Sequence, residues 1–156
     1  MPTAELPAVA MWYDDRGHGD PCVLLHPGGA GVDSRAMDPT LAALAEVLHV
    51  YTPEQRGHGR TPDVAEPASY ELMAGDTIAF IETVIGRPVH LAGCSDGAVV
   101  ALMVALRRPD LVRRLVLAAG CSTATAGRKA CLTASRRSSW IAATASCHPT
   151  ESATTA

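Results

Sequence analysis

Val89-His90-Leu91-Ala92-Gly93-Cys94-Ser95-Asp96-Gly97-Ala98-Val99-Val100 is the stretch that decides the fold. It reads as a short apolar strand, an abrupt turn centred on Ser95, and a helix that runs on through Ala101 to Leu106. Gly93-Cys94-Ser95-Asp96-Gly97 fits the pattern Gly-x-Ser-x-Gly between strand and helix, the nucleophile elbow. The spacing has a physical reason. A serine that must project its hydroxyl above a sheet edge sits on a tight, strained turn, and side chains two positions to either side would collide with the adjoining strand and helix. A helix that starts directly after the serine turns its free N–H groups and positive dipole end toward an anionic intermediate. Alone the five-residue pattern is common; flanked by an apolar strand and an apolar helix it is specific.

Working outward, the same alternation recurs. Val9–Tyr13 reads as a first strand, followed by an Asp- and Gly-rich turn to Pro21. Cys22–His26 is a continuous apolar run that suits a strand buried on both faces, and it ends in Pro27-Gly28-Gly29. Asp38-Pro39 opens a helix through Leu48, with proline in its first turn. His49–Pro53 is a further strand, leading into Glu54-Gln55-Arg56-Gly57-His58-Gly59-Arg60-Thr61. Residues 70–85 read as a helix with Leu72, Ile78, Ile81, Val84 and Ile85 mostly on one face, stopped by Gly86-Arg87-Pro88. Val112–Ala119 is the strand after the elbow helix. Strands alternating with helices predict a parallel α/β sheet with right-handed crossovers.

Composition bounds the function. The chain has 156 residues and 47% hydrophobic side chains, which suits one soluble domain. A net charge of −3 gives no basic footprint for nucleic acid. No apolar run approaches 20 residues and the N-terminus shows no secretory pattern, so a cytoplasmic protein without a membrane span is expected. The five cysteines have no C-x-x-C or Cys/His ligand spacing, so free thiols and no metal site are expected.

The character changes near Cys121. Of the last 36 residues, 22 are Ser, Thr or Ala, four are basic and only Glu151 is acidic. The chain is therefore divided into residues 1–120 and an irregular tail, 121–156.

Three motifs now stand in order, each at a strand end. His26-Pro27-Gly28-Gly29 resembles the His-Gly oxyanion loop of the α/β-hydrolase superfamily. Arg56-Gly57-His58-Gly59 resembles that family's Arg-Gly-His-Gly loop, with Glu54 where the family often has Asp and Thr61 where it often has Ser. Gly93–Gly97 matches its elbow. The resemblance covers residues from about 9 to 120 and implies the N-terminal part of a three-layer α/β-hydrolase fold, without its late strands and cap. It also implies a serine hydrolase that uses no cofactor and acts on a small-molecule ester, lactone, amide or C–C bond next to a carbonyl. Ser95 is then the nucleophile. The oxyanion hole is formed by the N–H of Asp96 and one from Gly28 or Gly29, since Pro27 has none. Gly93, Gly97, His26, Arg56 and His58 are supporting positions.

The departure is at the other end. The family triad runs Ser, then Asp or Glu, then His along the chain. Of the six histidines only His148 follows Ser95, 53 residues on and within the tail. Asp110 reads as a helix-exit turn, and Glu151 lies in the tail. The expectation is a member truncated or frame-shifted after about residue 120. The alternative reading is an inactive fragment lacking the triad acid and base, associating through an open sheet edge; a third has a partner chain supply the missing half.

Overall fold

A computed structural model describes residues 2–63 and 68–119, together with the backbone of 130–135. The strands are β1 (Thr3–Glu5), β2 (Ala10–Arg16), β3 (Pro21–Leu25), β4 (His49–Pro53), β5 (Val89–Cys94), β6 (Val112–Ala119) and β7 (Ala130–Ser135). They form one sheet in the order β1-β2-β4-β3-β5-β6-β7. The helices are α1 (Asp38–Leu44), α2 (Tyr70–Phe80) and α3 (Asp96–Arg107).

The centre of the sheet, β4-β3-β5-β6, is parallel as the strand–helix alternation predicts. The flanks are not. β1 and β2 form an antiparallel pair, β2 runs antiparallel to β4, and β7 runs antiparallel to β6. Parallel neighbours need a helical crossover, whereas the short Asp/Gly turn after β2 and the few residues between β1 and β2 cannot supply one.

All five residues of β3 are buried. Val23 and Leu25 point to one core with Met73, Phe80 and Ile81 from α2 and its extension and Ala101 and Val104 from α3. Cys22 and Leu24 point to the opposite core, with Met37 and Leu41. Coverage on both faces is why this strand carries no polar alternation.

Residues 70–85 do form the expected helix, but in two parts. Ser69 caps α2, its hydroxyl accepting from the Leu72 N–H at 3.3 Å. After Phe80 the coil widens into a π turn over Ile81–Ile85, which Gly86 ends at φ 67°. The buried face also differs from the one the apolar spacing selects. Met73, Ala74, Asp76, Thr77 and Phe80 are inside, while Leu72 and Ile78 are only half-buried. A polar pair displaces apolar residues because both of its members are hydrogen-bonded to the loop after β4.

No strand was expected in 121–156, yet β7 lies there, over Ala130-Cys131-Leu132-Thr133-Ala134-Ser135. The outer edge of β6 would otherwise present a row of unpaired N–H and C=O groups, and β7 satisfies them. The rest of that expected tail lies outside the described residues. Among the described residues no helix is long and apolar enough to cross a membrane.

Candidate active site

The loops that leave the carboxyl ends of β3, β4 and β5 converge at one end of the sheet, where open α/β sheets bind their ligands. β5 ends at Cys94 and α3 begins at Asp96, so Ser95 is the whole connection. It holds φ 51° and ψ −116°, and it is the one non-glycine residue with positive φ among those described. Such a conformation costs on the order of 1–3 kcal/mol and persists where the surroundings impose it. They do so here. The Ser95 N–H donates to the Ala118 carbonyl at 2.8 Å, and its carbonyl accepts from the Ala98 N–H at 2.9 Å. A Cβ on Gly97 would lie 2.5 Å from the Leu25 carbonyl oxygen and 2.6 Å from that of His26. One on Gly93 would strike the Gly97 carbonyl and come within 2.7 Å of the Ala98 nitrogen. Backbone obstructs both, so both must be glycine. The Ser95 side chain is exposed, and its hydroxyl makes no capping bond to α3.

Gly28 abuts the first residue of α3. A Cβ there would strike the Asp96 carboxylate. That carboxylate accepts from the Tyr70 hydroxyl at 2.9 Å, and the bond raises the tyrosine's pKa above its ordinary 10. The Asp96 N–H belongs to the first turn of α3 and has no intrahelical acceptor. The loop that carries Gly28 is fixed by His26. Its ring is 2% exposed, with Nδ1 2.7 Å from the Pro27 carbonyl oxygen and Nε2 accepting from the Gln55 N–H at 3.0 Å. These partners assign the tautomer: Nδ1 carries the proton and Nε2 is bare. Burial holds the ring's pKa below 6.5, which keeps it neutral.

The loop after β4 is held from within. Glu54 is wholly buried and accepts from the Ser34 hydroxyl at 2.9 Å and from the Arg60 N–H and guanidinium at 2.5 Å each. Burial alone would raise its pKa, but the hydrogen bonds from Arg60 and Ser34 outweigh that and leave it below 4.5. Thr61 donates to the Glu54 carbonyl at 2.9 Å and accepts from the Trp12 N–H at 3.0 Å. Arg56 makes a two-pronged ion pair with Asp76 of α2, at 2.7 and 2.8 Å, with both side chains almost fully buried. His58 lies against His26, ring centroids 5.2 Å apart, and its Nδ1 is 3.0 Å from the Arg56 carbonyl oxygen. Arg56 thus ties the loop to α2, and His58 bonds back within it.

Gly28, His26, His58, Asp96 and Gly97 meet around one small recess, which Gln55, Met73 and Val100 complete. Ser95 and Gly29 do not line it. Gln55, Asp76 and Tyr70 carry no motif in the sequence. Their partners Thr77, Arg56 and Asp96 lie 20 to 26 residues away along the chain, and no local pattern marks such pairs. Among the described residues no histidine is hydrogen-bonded to the Ser95 hydroxyl. His49 and His90 belong to β4 and β5 at the opposite end of the sheet, and His18 lies in the turn before β3. His148 and Glu151 lie outside the described residues. Asp110 sits in a short turn after α3 and pairs with Arg108 at 2.7 Å, as a helix-exit residue does. Among the described residues there is no cluster of His, Cys, Asp or Glu that could hold a metal.

The chain belongs to the alpha/beta hydrolase family, whose profile matches residues 22–153. Three curated relatives are similar to it. The (E)-2-((N-methylformamido)methylene)succinate hydrolase of Acinetobacter baylyi is 33% identical over 108 residues, which are 69% of this chain and 40% of that protein. The serine hydrolase BPHL of Homo sapiens is 33% identical over 113 residues, 70% and 39% of the two chains. The putative non-heme bromoperoxidase BpoC of Mycobacterium tuberculosis is 38% identical over 113 residues, 71% and 42%. Among solved structures, Est816, described as an N-acyl homoserine lactone degrading enzyme, superposes with a TM-score of 0.69 at 28% identity, over 76% of this chain and 46% of that one. The chain thus spans about two fifths of the length of the curated relatives it matches.

Proposed function

We propose that this chain carries the nucleophile and oxyanion half of a serine hydrolase acting on a small ester, lactone, amide or C–C bond next to a carbonyl. The observation that carries the reading is the Ser95 turn. Strain, two obligatory glycines and an exposed hydroxyl are combined at the start of an apolar helix. In the reaction the Ser95 oxygen bonds to the carbonyl carbon as its proton passes to a general base. The carbonyl oxygen becomes an oxyanion, facing the N–H of Asp96 and one from the Gly28-Gly29 loop. Collapse breaks the bond to the leaving group, which takes the proton, and water then releases the acyl group by the same steps. His26 is not that base. Its bare nitrogen is occupied by the Gln55 N–H and it is held neutral by burial. His148 is the one histidine that follows Ser95 in chain order, and the base stays unassigned.

A fluorophosphonate probe tests this. Labelling of the folded chain that disappears in Ser95→Ala supports an activated serine, and its loss in His148→Ala assigns the base. The second reading, a fold fragment without activity, is favoured by the lack of a histidine bonded to Ser95 among the described residues. It predicts no labelling, or labelling that Ser95→Ala leaves unchanged.

A further inference from the structure

We infer that the cleft between the loops after β3 and β4 is an anion site, in which Arg35 and Arg60 together hold one oxyanion group, a phosphate or a carboxylate. The cleft measures about 440 Å³ and is walled by Gly31, Asp33, Arg35, Gly59 and Arg60. It shares no lining residue with the recess around Gly28 and Asp96, so the inference stands apart from the serine chemistry. An acid holds each guanidinium along one edge. Arg35 places Nε and Nη2 on the Asp33 carboxylate, at 2.9 and 2.5 Å. Arg60 places Nε and Nη2 on Glu54, at 3.2 and 2.5 Å, and its Cζ stands 3.1 Å from the centroid of the Trp12 ring. Each arginine keeps a third nitrogen, Nη1, with two N–H groups. Among the described residues neither Nη1 has a hydrogen-bond partner.

The acids lie inside and the cations outside. Glu54 is wholly buried and Asp33 nearly so, whereas the Arg35 and Arg60 side chains are 75% and 40% exposed. The carboxylate oxygens are also engaged from behind. Asp33 Oδ1 accepts from the Arg35 N–H at 2.9 Å, Glu54 Oε1 from the Ser34 hydroxyl at 2.9 Å, and Glu54 Oε2 from the Arg60 N–H at 2.5 Å. The groups left facing the cleft are therefore charged N–H donors, and the ligand that fits them is a negatively charged acceptor. The two forks converge. A Cβ on Gly59 would strike the Glu54 carboxylate and lie 2.7 Å from the Asp33 Cβ, so the two ion pairs are neighbours. The Glu54 hydrogen bond raises the Arg60 pKa, and the Arg35 charge works against it. An anion between the guanidiniums relieves that repulsion.

Inorganic phosphate and acetate, each titrated into the isotope-labelled full chain at fixed ionic strength, test this through the backbone amide and arginine side-chain NMR signals. The expected result is saturable shifts centred on Gly31, Arg35, Gly59 and Arg60. The tighter of the two anions identifies the group as phosphate or carboxylate. Arg35→Gln leaves the Glu54 pair in place and should weaken binding at least about fivefold. Arg16 is the control. It pairs with Asp14 in the same manner, at 2.9 and 2.7 Å, but lies at the far end of β2, outside the cleft. Arg16→Gln removes the same charge and should leave the affinity unchanged. Thermal melts check that both variants fold, and if Arg35→Gln does not, the position of the shifts on the unaltered chain decides. Shifts that fail to saturate with either anion, saturable binding centred elsewhere, or equal weakening by Arg35→Gln and Arg16→Gln overturn the inference. None of these outcomes depends on whether Ser95 reacts.

Discussion

The two ends of the parallel sheet use the same residue types to different effect. At the amino ends, His49 pairs with Asp15 at 2.7 Å, and Asp20 takes Arg113 at 2.8 Å and His90 at 3.9 Å. These groups are partly exposed, and water can replace each partner. At the carboxyl ends, Arg56 with Asp76, Glu54 with Ser34 and Arg60, and His26 with Gln55 are paired under cover. There a lost partner leaves a group stranded in low dielectric. Histidines and acids therefore mark a site only when burial and convergent loops make their geometry obligatory.

That contrast can be broken by substitution. Asp76→Ala removes the two-pronged partner of the buried Arg56 guanidinium and should cost about 3–5 kcal/mol in urea denaturation, whereas Asp15→Ala at the other end should cost under about 1 kcal/mol. Equal costs would erase the distinction between the two ends. Gly97→Ala forces a methyl group onto the Leu25 and His26 carbonyls and should cost about 3 kcal/mol, read in the same assay. Ser95→Gly should go the other way, gaining about 1 kcal/mol as the strain at φ 51° is released, while abolishing probe labelling.

The smallest effect is in pH. The folded-state pKa of His26 is lowered, so the unfolded chain binds its proton first. Its contribution is present in full above about 6.5 and is lost as pH falls from there through the folded value. His90 shifts in the same direction, also chiefly through burial. His26→Gln should therefore flatten, without abolishing, the decline in stability between pH 6.5 and 5, followed by denaturation midpoints at each pH. An unchanged slope would show that burial does not hold the His26 pKa down.

How much of this was legible depends on how local each cause is. The elbow, β4 and β6 could be read from the sequence because a run of apolar residues bounded by glycine or proline fixes both the strand and its end. Gly86 stops the helix where expected for the same reason. The antiparallel flanks were not legible. β1 is three residues long, and β7 follows from an edge that only the finished sheet creates. The buried face of α2 was misread because Asp76 and Thr77 look like surface residues until Arg56 and Gln55 arrive from the β4 loop. The oxyanion loop could be recognised by its glycines, but the crowding of Gly28 by Asp96 depends on how closely two separate loops approach.

We propose that the fold, through the turn between Gly93 and Gly97, makes the Ser95 oxygen reactive. Intact-mass and peptide mapping after fluorophosphonate treatment, of the folded chain and of the chain in urea, test it directly. A single adduct on Ser95 is expected in the folded chain and none in urea. An adduct elsewhere, or none on the folded chain, would contradict it.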